Sequence, residues 1–167
     1  MLYKSLTLLL VATIATQTYA LTGSQVIEIV AGMMDGVIHK DDLAELQACM
    51  QGADQLTDEF DTAVSDFEQG GITGYTSAIE VVAQIINQLP QDLNQCTSID
   101  GDLSKLGDWA KIFLQPTVLL ERVSYNLLVH FSEINGDIQT ALTDYKSQQF
   151  FNFGEVMGEA LVLATQE

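Results

Sequence analysis

The chain has 167 residues, with 23 Asp and Glu against six Lys and Arg, a formal net charge of −17. Gripping phosphates requires clustered Lys and Arg, and anionic lipid surfaces repel an acidic chain for the same reason, so nucleic acid and such membranes are excluded as partners. The charge favours solubility, cationic partners or divalent ions, and a solvated acidic face that keeps the protein dispersed is its plainest explanation.

Lys4, an apolar run over residues 6–14 and the small-residue site Thr18-Tyr19-Ala20 have the layout of a secretory signal peptide. The run is shorter than the roughly 20 residues a membrane helix needs, and no transmembrane segment is expected in the mature chain. Residues 1–20 are read as the signal peptide and residues 21–167 as one helical bundle domain of ordinary size. The mature chain keeps five bases (Lys40, Lys105, Lys111, Arg122, Lys146) against all 23 acids, a net −18. The expected location is extracellular or the lumen of the secretory pathway.

Apolar spacing after the leader is helical almost throughout, with no period-two stretch long enough for a strand. Residues 24–38 place Val26, Ile27, Val30, Met33, Met34 and Val37 on one broad face, with Ser24 as N-cap. Gly32 and Gly36 make this helix weak by itself, at about 1 kcal/mol each relative to alanine. A second helix starts at Asp41 or Asp42 and runs to about residue 68, its stripe being Leu43, Leu46, Cys49, Ala53, Leu56, Phe60, Val64 and Phe67. With a rise of about 1.5 Å per residue, its length would be roughly 40 Å. Gln69-Gly70-Gly71 stops it, and Gly74 marks the loop before the next element.

The third helix covers about residues 75–89, and Pro90 breaks or bends it. Only Cys49 and Cys96 can pair, and an even count in an oxidising compartment favours a bridge over two free thiols. Neither has the close partner spacing of a zinc site. A hairpin of the second and third helices would bring Cys96 back past Cys49. A polar stretch, residues 97–102, precedes a fourth helix that begins at Gly101 or Leu103, ends near residue 114 and faces Leu106, Trp109 and Phe113 inward. Pro116 restarts the chain. Leu119, Val123, Leu127, Phe131, Ile134, Ile138, Leu142 and Tyr145 then hold one face for seven turns, with a kink expected at Asn135-Gly136. A final helix, about residues 149–164, uses Gly154 and Gly158 for close helix approach.

No catalytic or ligand motif stands out. His39 and His130 are the two imidazoles, and neither has the base, nucleophile and orienting group that a triad requires. With so many acids, some carboxylate pair meets the spacing of a glycosidase by chance. Acids gather at Asp35, Asp41, Asp42 and Glu45 beside His39, and again at Asp54, Asp58, Glu59 and Asp61. The alternating ligands, glycine and terminal glutamate of a calcium loop are missing. Met33, Met34, Met50 and Met157 could line an apolar pocket, although they equally fill irregular core gaps; a cavity above about 300 Å³ would favour a carrier. Leu120 and Leu128, beside the main stripe, could dock another chain.

The run Tyr125-Asn126-Leu127-Leu128-Val129 is followed by Asn135-Gly136-Asp137-Ile138, Ala141, Tyr145 and Phe151-Asn152-Phe153-Gly154, with Gly158 and Ala160. This pattern resembles a family of small secreted proteins of ciliated protozoa, and Cys49 and Cys96 match that family's usual pair. The resemblance implies a signal peptide, an all-helical domain and one disulfide, and it implies no activity. The expectation is thus an all-α, single-domain bundle of five or six helices stapled by Cys49–Cys96. It has no catalytic residue, cofactor or metal, and it acts by binding a protein partner or by self-association. A carrier of a small apolar ligand is the alternative, and a hydrolase of unrecognised type the third reading.

Overall fold

A computed structural model describes residues 21–167 apart from residues 51, 52, 54, 55 and 94; the expected signal peptide, residues 1–20, lies outside the described residues. The architecture is all-α, with no strand among the described residues. Eight helices follow in order among them: α1 (Gly23–Ile38), α2 (Leu43–Cys49), α3 (Thr57–Gln69), α4 (Gly71–Asp92), α5 (Asp100–Ala110), α6 (Pro116–Val129), α7 (Phe131–Lys146) and α8 (Phe150–Thr165). Short 3-10 turns occupy Thr97–Ile99 and Lys111–Leu114. The helix count exceeds the expected five or six because two of the long stripes are each cut in two. Among the described residues no helix is long and apolar enough to cross a membrane.

Helix α1 is buried on nearly every side, as an apolar helix in the middle of a fold should be. Its N-cap is Thr22, two residues before the expected Ser24. Thr22 Oγ1 accepts from the Gln25 N–H, and Gln25 Oε1 accepts from the Thr22 N–H at 2.8 Å. This capping box satisfies two end groups at once, which a cap at Ser24 would not. The partner of α1 along its length is α8, the most extensive helix pair in the fold. Gly32 and Gly36, expected to weaken α1, make that contact. A Cβ at Gly32 would overlap the Phe151 carbonyl and lie 2.8 Å from the Glu155 nitrogen, and one at Gly36 would lie 2.9 Å from the Glu159 nitrogen. Gly154 and Gly158 answer from α8, as expected: a Cβ there would lie 2.9 Å from the Met33 nitrogen and 2.6 Å from the Met33 oxygen, respectively.

The single long second helix expected from the stripe is divided. α2 stops at Cys49, Met50 turns extended (ψ 126°), and the Leu56 N–H closes a tight turn onto the Ala53 carbonyl at 3.0 Å. Gly52, which costs about 1 kcal/mol inside a helix, falls in this interval. The apolar phase nevertheless survives the break, since Leu46, Ala53, Leu56, Phe60, Val64 and Phe67 are all buried. Gly70 and Gly71, both at positive φ, reverse the chain between α3 and α4. Gly74 belongs to α4 instead of a loop; a Cβ there would sit 2.7 Å from the Asp66 carbonyl, so it too serves helix approach.

Pro90 does not end α4, which begins earlier than expected and runs through Asp92. The proline falls in the last turn, where its missing N–H removes one bond, and the Leu93 N–H still reaches the Leu89 carbonyl at 2.8 Å. Cys49 at the end of α2 and Cys96 just past α4 form the disulfide, with Cα atoms 5.3 Å apart and a sequence separation of 47. In the fourth segment, Trp109 and Phe113 pack edge to face with centroids 4.9 Å apart.

The long fifth helix is also two. The break comes at His130 (φ −109°, ψ 21°), ahead of the expected kink, and Asn135-Gly136 lies inside regular α7. The bend lets Leu127 and Ile134 both face the core. It also brings Phe131 against Tyr75, ring centroids 6.3 Å apart, whose hydroxyl donates to Asn135 Oδ1. Both α6 and α7 pack on α8. Buried Asn126 of α6 ties down the end of α8 by donating to the carbonyls of Ala164 (3.1 Å) and Gln166 (3.0 Å), which lack helical partners of their own.

Candidate functional site

Where α4 lies beside α6, the two helices leave an open groove of about 260 Å³. Its α4 wall is Thr76, Ile79, Glu80, Ala83, Gln84 and Asn87, residues that share one face at helical spacing. The α6 wall is Pro116, Leu119, Leu120 and Val123, and Phe113 completes the lining. Proline at the first position of α6 and the 3-10 turn before it set where that wall starts.

Helix α6 is apolar on two sides. Leu119, Val123 and Leu127 point inward and are buried, while Leu120 (51% exposed) and Leu128 (72%) face water. Of the seven large apolar side chains exposed among the described residues, six fall between Leu114 and Phe131. Apolar residues scattered singly are normal on a surface, whereas large contiguous apolar patches mark interaction sites in proteins generally. The seventh, Ile72, lies in the first turn of α4.

The methionines do not line this recess. Met33, Met34 and Met157 are core residues, and the void beside Met157 is about 10 Å³, at most one water in size. His39 caps α1 in an exposed left-handed conformation (φ 55°). His130 marks the α6–α7 bend, with Nδ1 3.7 Å from Glu133 Oε2 and Nε2 3.5 Å from Gln166 Nε2. No triad forms around either imidazole in these contacts. Among the described residues no three His, Cys, Asp or Glu side chains converge as metal ligands; Asp54 of the second acidic group lies outside them.

The acids do shape one another. Asp42 is 1% exposed in its side chain; burial raises its pKa, opposed by the Lys40 ammonium 3.1 Å away, and Oδ2 has no hydrogen-bond partner. Burial, then Asp35, Glu159 and Asp41, raise Glu155; burial, then Glu159 and Glu133, raise Asp137. A carboxyl whose folded pKa lies above its unfolded value takes up its proton earlier in the folded state, so acidification through that window stabilises the fold. The denaturant midpoint is therefore expected to rise as the pH is lowered from neutral into the range where these carboxyls titrate. A midpoint that falls at the onset of carboxyl protonation would reject this assignment of the three carboxyls.

No protein-family profile matches the chain, and no solved structure matches it. Over 125 residues the chain is 27% identical to a protein of Dictyostelium discoideum named "Secreted protein A", covering 69% of this chain and 70% of that one.

The bridge partners Cys49 and Cys96 are the site residues that sequence reasoning brings together. The exposure of Leu120 and Leu128 beside the main stripe is also legible. The α4 wall is not, because it becomes a wall only when α4 lies beside α6.

Proposed function

We propose that this is a secreted, non-enzymatic helical protein that acts by binding or assembly in the extracellular space or a secretory vesicle lumen. The groove between α4 and α6 is its contact surface. The supporting observation is the set of six exposed apolar side chains between Leu114 and Phe131, of which Leu120 lines that groove. Export is supported by the leader pattern of residues 1–20, by a disulfide of the kind kept in oxidising compartments, and by the name of the Dictyostelium protein. The resemblance to secreted ciliate proteins agrees with the same reading.

The groove also favours, in second place, a carrier of a small apolar ligand. A small molecule there would leave Leu114 and Leu128 in water, and for that reason a polypeptide is preferred.

Native mass spectrometry of protein recovered from the culture medium of its own cells tests this. The expected species begins at Leu21, carries no free thiol and is bound to a polypeptide. The double variant Leu120→Glu/Leu128→Glu is expected to lose that polypeptide while its stability changes by less than about 1 kcal/mol, as for exposed positions generally. A bare monomer at all concentrations overturns the binding reading, and a retained small apolar molecule replaces it with the carrier.

A further inference from the structure

Helix α2 has little of its own to hold it in place. It is seven residues long and buries Leu46; Leu43 and Cys49 reach the core only in part, and Ala44, Gln47 and Ala48 face water. So brief a helix does not persist by itself. Its first turn is tied locally by the Leu43 N–H, which donates to Asp41 Oδ1 at 2.9 Å. Against this stands Asp42, whose side chain is 1% exposed, with Oδ1 3.1 Å from the Lys40 ammonium and Oδ2 without a hydrogen-bond partner among the described residues. A buried carboxylate short of a partner carries a desolvation cost that contact with water would relieve. The far end of α2 is held differently, because Cys49 is bonded covalently to Cys96 just past α4.

We propose that α2 is a strap: the Cys49–Cys96 bridge closes it, the buried Asp42 carboxylate biases it towards opening, and a dithiol reductant releases it while the other helices stay folded. Cys49 is half-buried and Cys96 is 1% exposed, so the attacking thiolate takes the Cys49 sulfur, the S–S bond breaks, and the Cys96 sulfur leaves as a thiolate that picks up a proton. The second thiol of the reductant then displaces Cys49 from the mixed disulfide. The reductant ends oxidised, as a cyclic disulfide, and both cysteines end as thiols. Release uncovers Leu46 and the side of α1 on which α2 packs.

The pH then sets how readily the released strap lifts. Burial raises the Asp42 pKa more than the hydrogen bond and charge of Lys40, in the turn after α1, lower it; Asp102 of α5, itself paired with Lys105, and Glu45 of α2 add to the rise. The closed strap therefore keeps a proton that the open one gives up, and opening becomes easier as the pH rises out of the carboxyl range towards neutrality.

Hydrogen exchange of the disulfide-bonded protein, before and after dithiothreitol, tests this. Reduction at neutral pH is expected to speed exchange in α2 by at least about tenfold while α1, α4 and α8 keep their protection. Cys49→Ser/Cys96→Ser, which needs no reductant, should reproduce that pattern and bind an uncharged apolar dye that the bridged protein does not. Its α2 exchange, corrected for the intrinsic effect of pH on amides, should slow as the pH is lowered into the range where carboxyls titrate. Adding Asp42→Asn to the serine pair should slow α2 exchange severalfold at neutral pH and flatten the pH response. Unchanged protection of α2 after reduction would overturn the proposal, since packing would then hold the helix without the bridge. Equal loss of protection in every helix would overturn it as well, because no separate strap would exist. A pH response that survives Asp42→Asn would overturn the bias assigned to that carboxylate.

Discussion

Gly154→Ala is expected to lower the unfolding free energy by about 3 kcal/mol, while Gly136→Ala raises it by about 1 kcal/mol. Both glycines are helical, so intrinsic propensity would favour alanine at each. They differ in what a methyl group would meet. At Gly154 it would run into the Ile29 carbonyl and sit 2.9 Å from the Met33 nitrogen, main-chain atoms that cannot turn aside. At Gly136 nothing lies within 4 Å. The α1–α8 contact is built from glycines on both helices, with Cα hydrogens aimed at the facing carbonyls, so an added Cβ forces two central helices apart. Denaturant unfolding of the two variants measures this directly. Shifts of the same sign would mean that the close approach of α1 and α8 is not what the glycines serve.

Cys49→Ser/Cys96→Ser, or reduction of the wild type, is expected to remove about 4 kcal/mol, the chain-entropy value for closing a loop of this length. The geometry gives that bridge a specific burden. Helix α2 has seven residues, one of which, Leu46, is buried, and its N-cap residue Asp42 makes no side-chain cap bond. A helix this short is unstable alone. The bridge fastens its last residue to the chain just beyond α4, next to Ile99 and the start of α5. Hydrogen exchange should therefore show α2 losing protection first in the double serine variant, before α1 or α8. A loss below about 1 kcal/mol, or uniform loss of protection, would assign the anchoring of α2 to its packing alone.

The positions of the helix breaks show what sequence reasoning lacks. The stripe from Leu43 to Phe67 keeps helical phase through Ala53 and Leu56, and the stripe from Leu119 to Leu142 keeps it through His130. Phase records which residues face the core and is silent on whether the backbone between them is straight. Pro90 misleads for a related reason: a proline withdraws the one bond its absent N–H would make, and α4 carries on past it to Asp92. Gly74 reads as punctuation because glycine serves both turns and close contacts, and only its neighbour Asp66 distinguishes the two.

Helicity, the inward residues, the Gly70-Gly71 reversal and the single disulfide were determined by the amino-acid sequence, because they depend on local periodicity, backbone freedom and composition. Tertiary structure decided the pairing of α1 with α8, the real function of Gly32 and Gly36, and the groove. Those features join segments far apart along the chain, and a side chain becomes a wall, a seat or a collision only when another helix supplies the opposing surface.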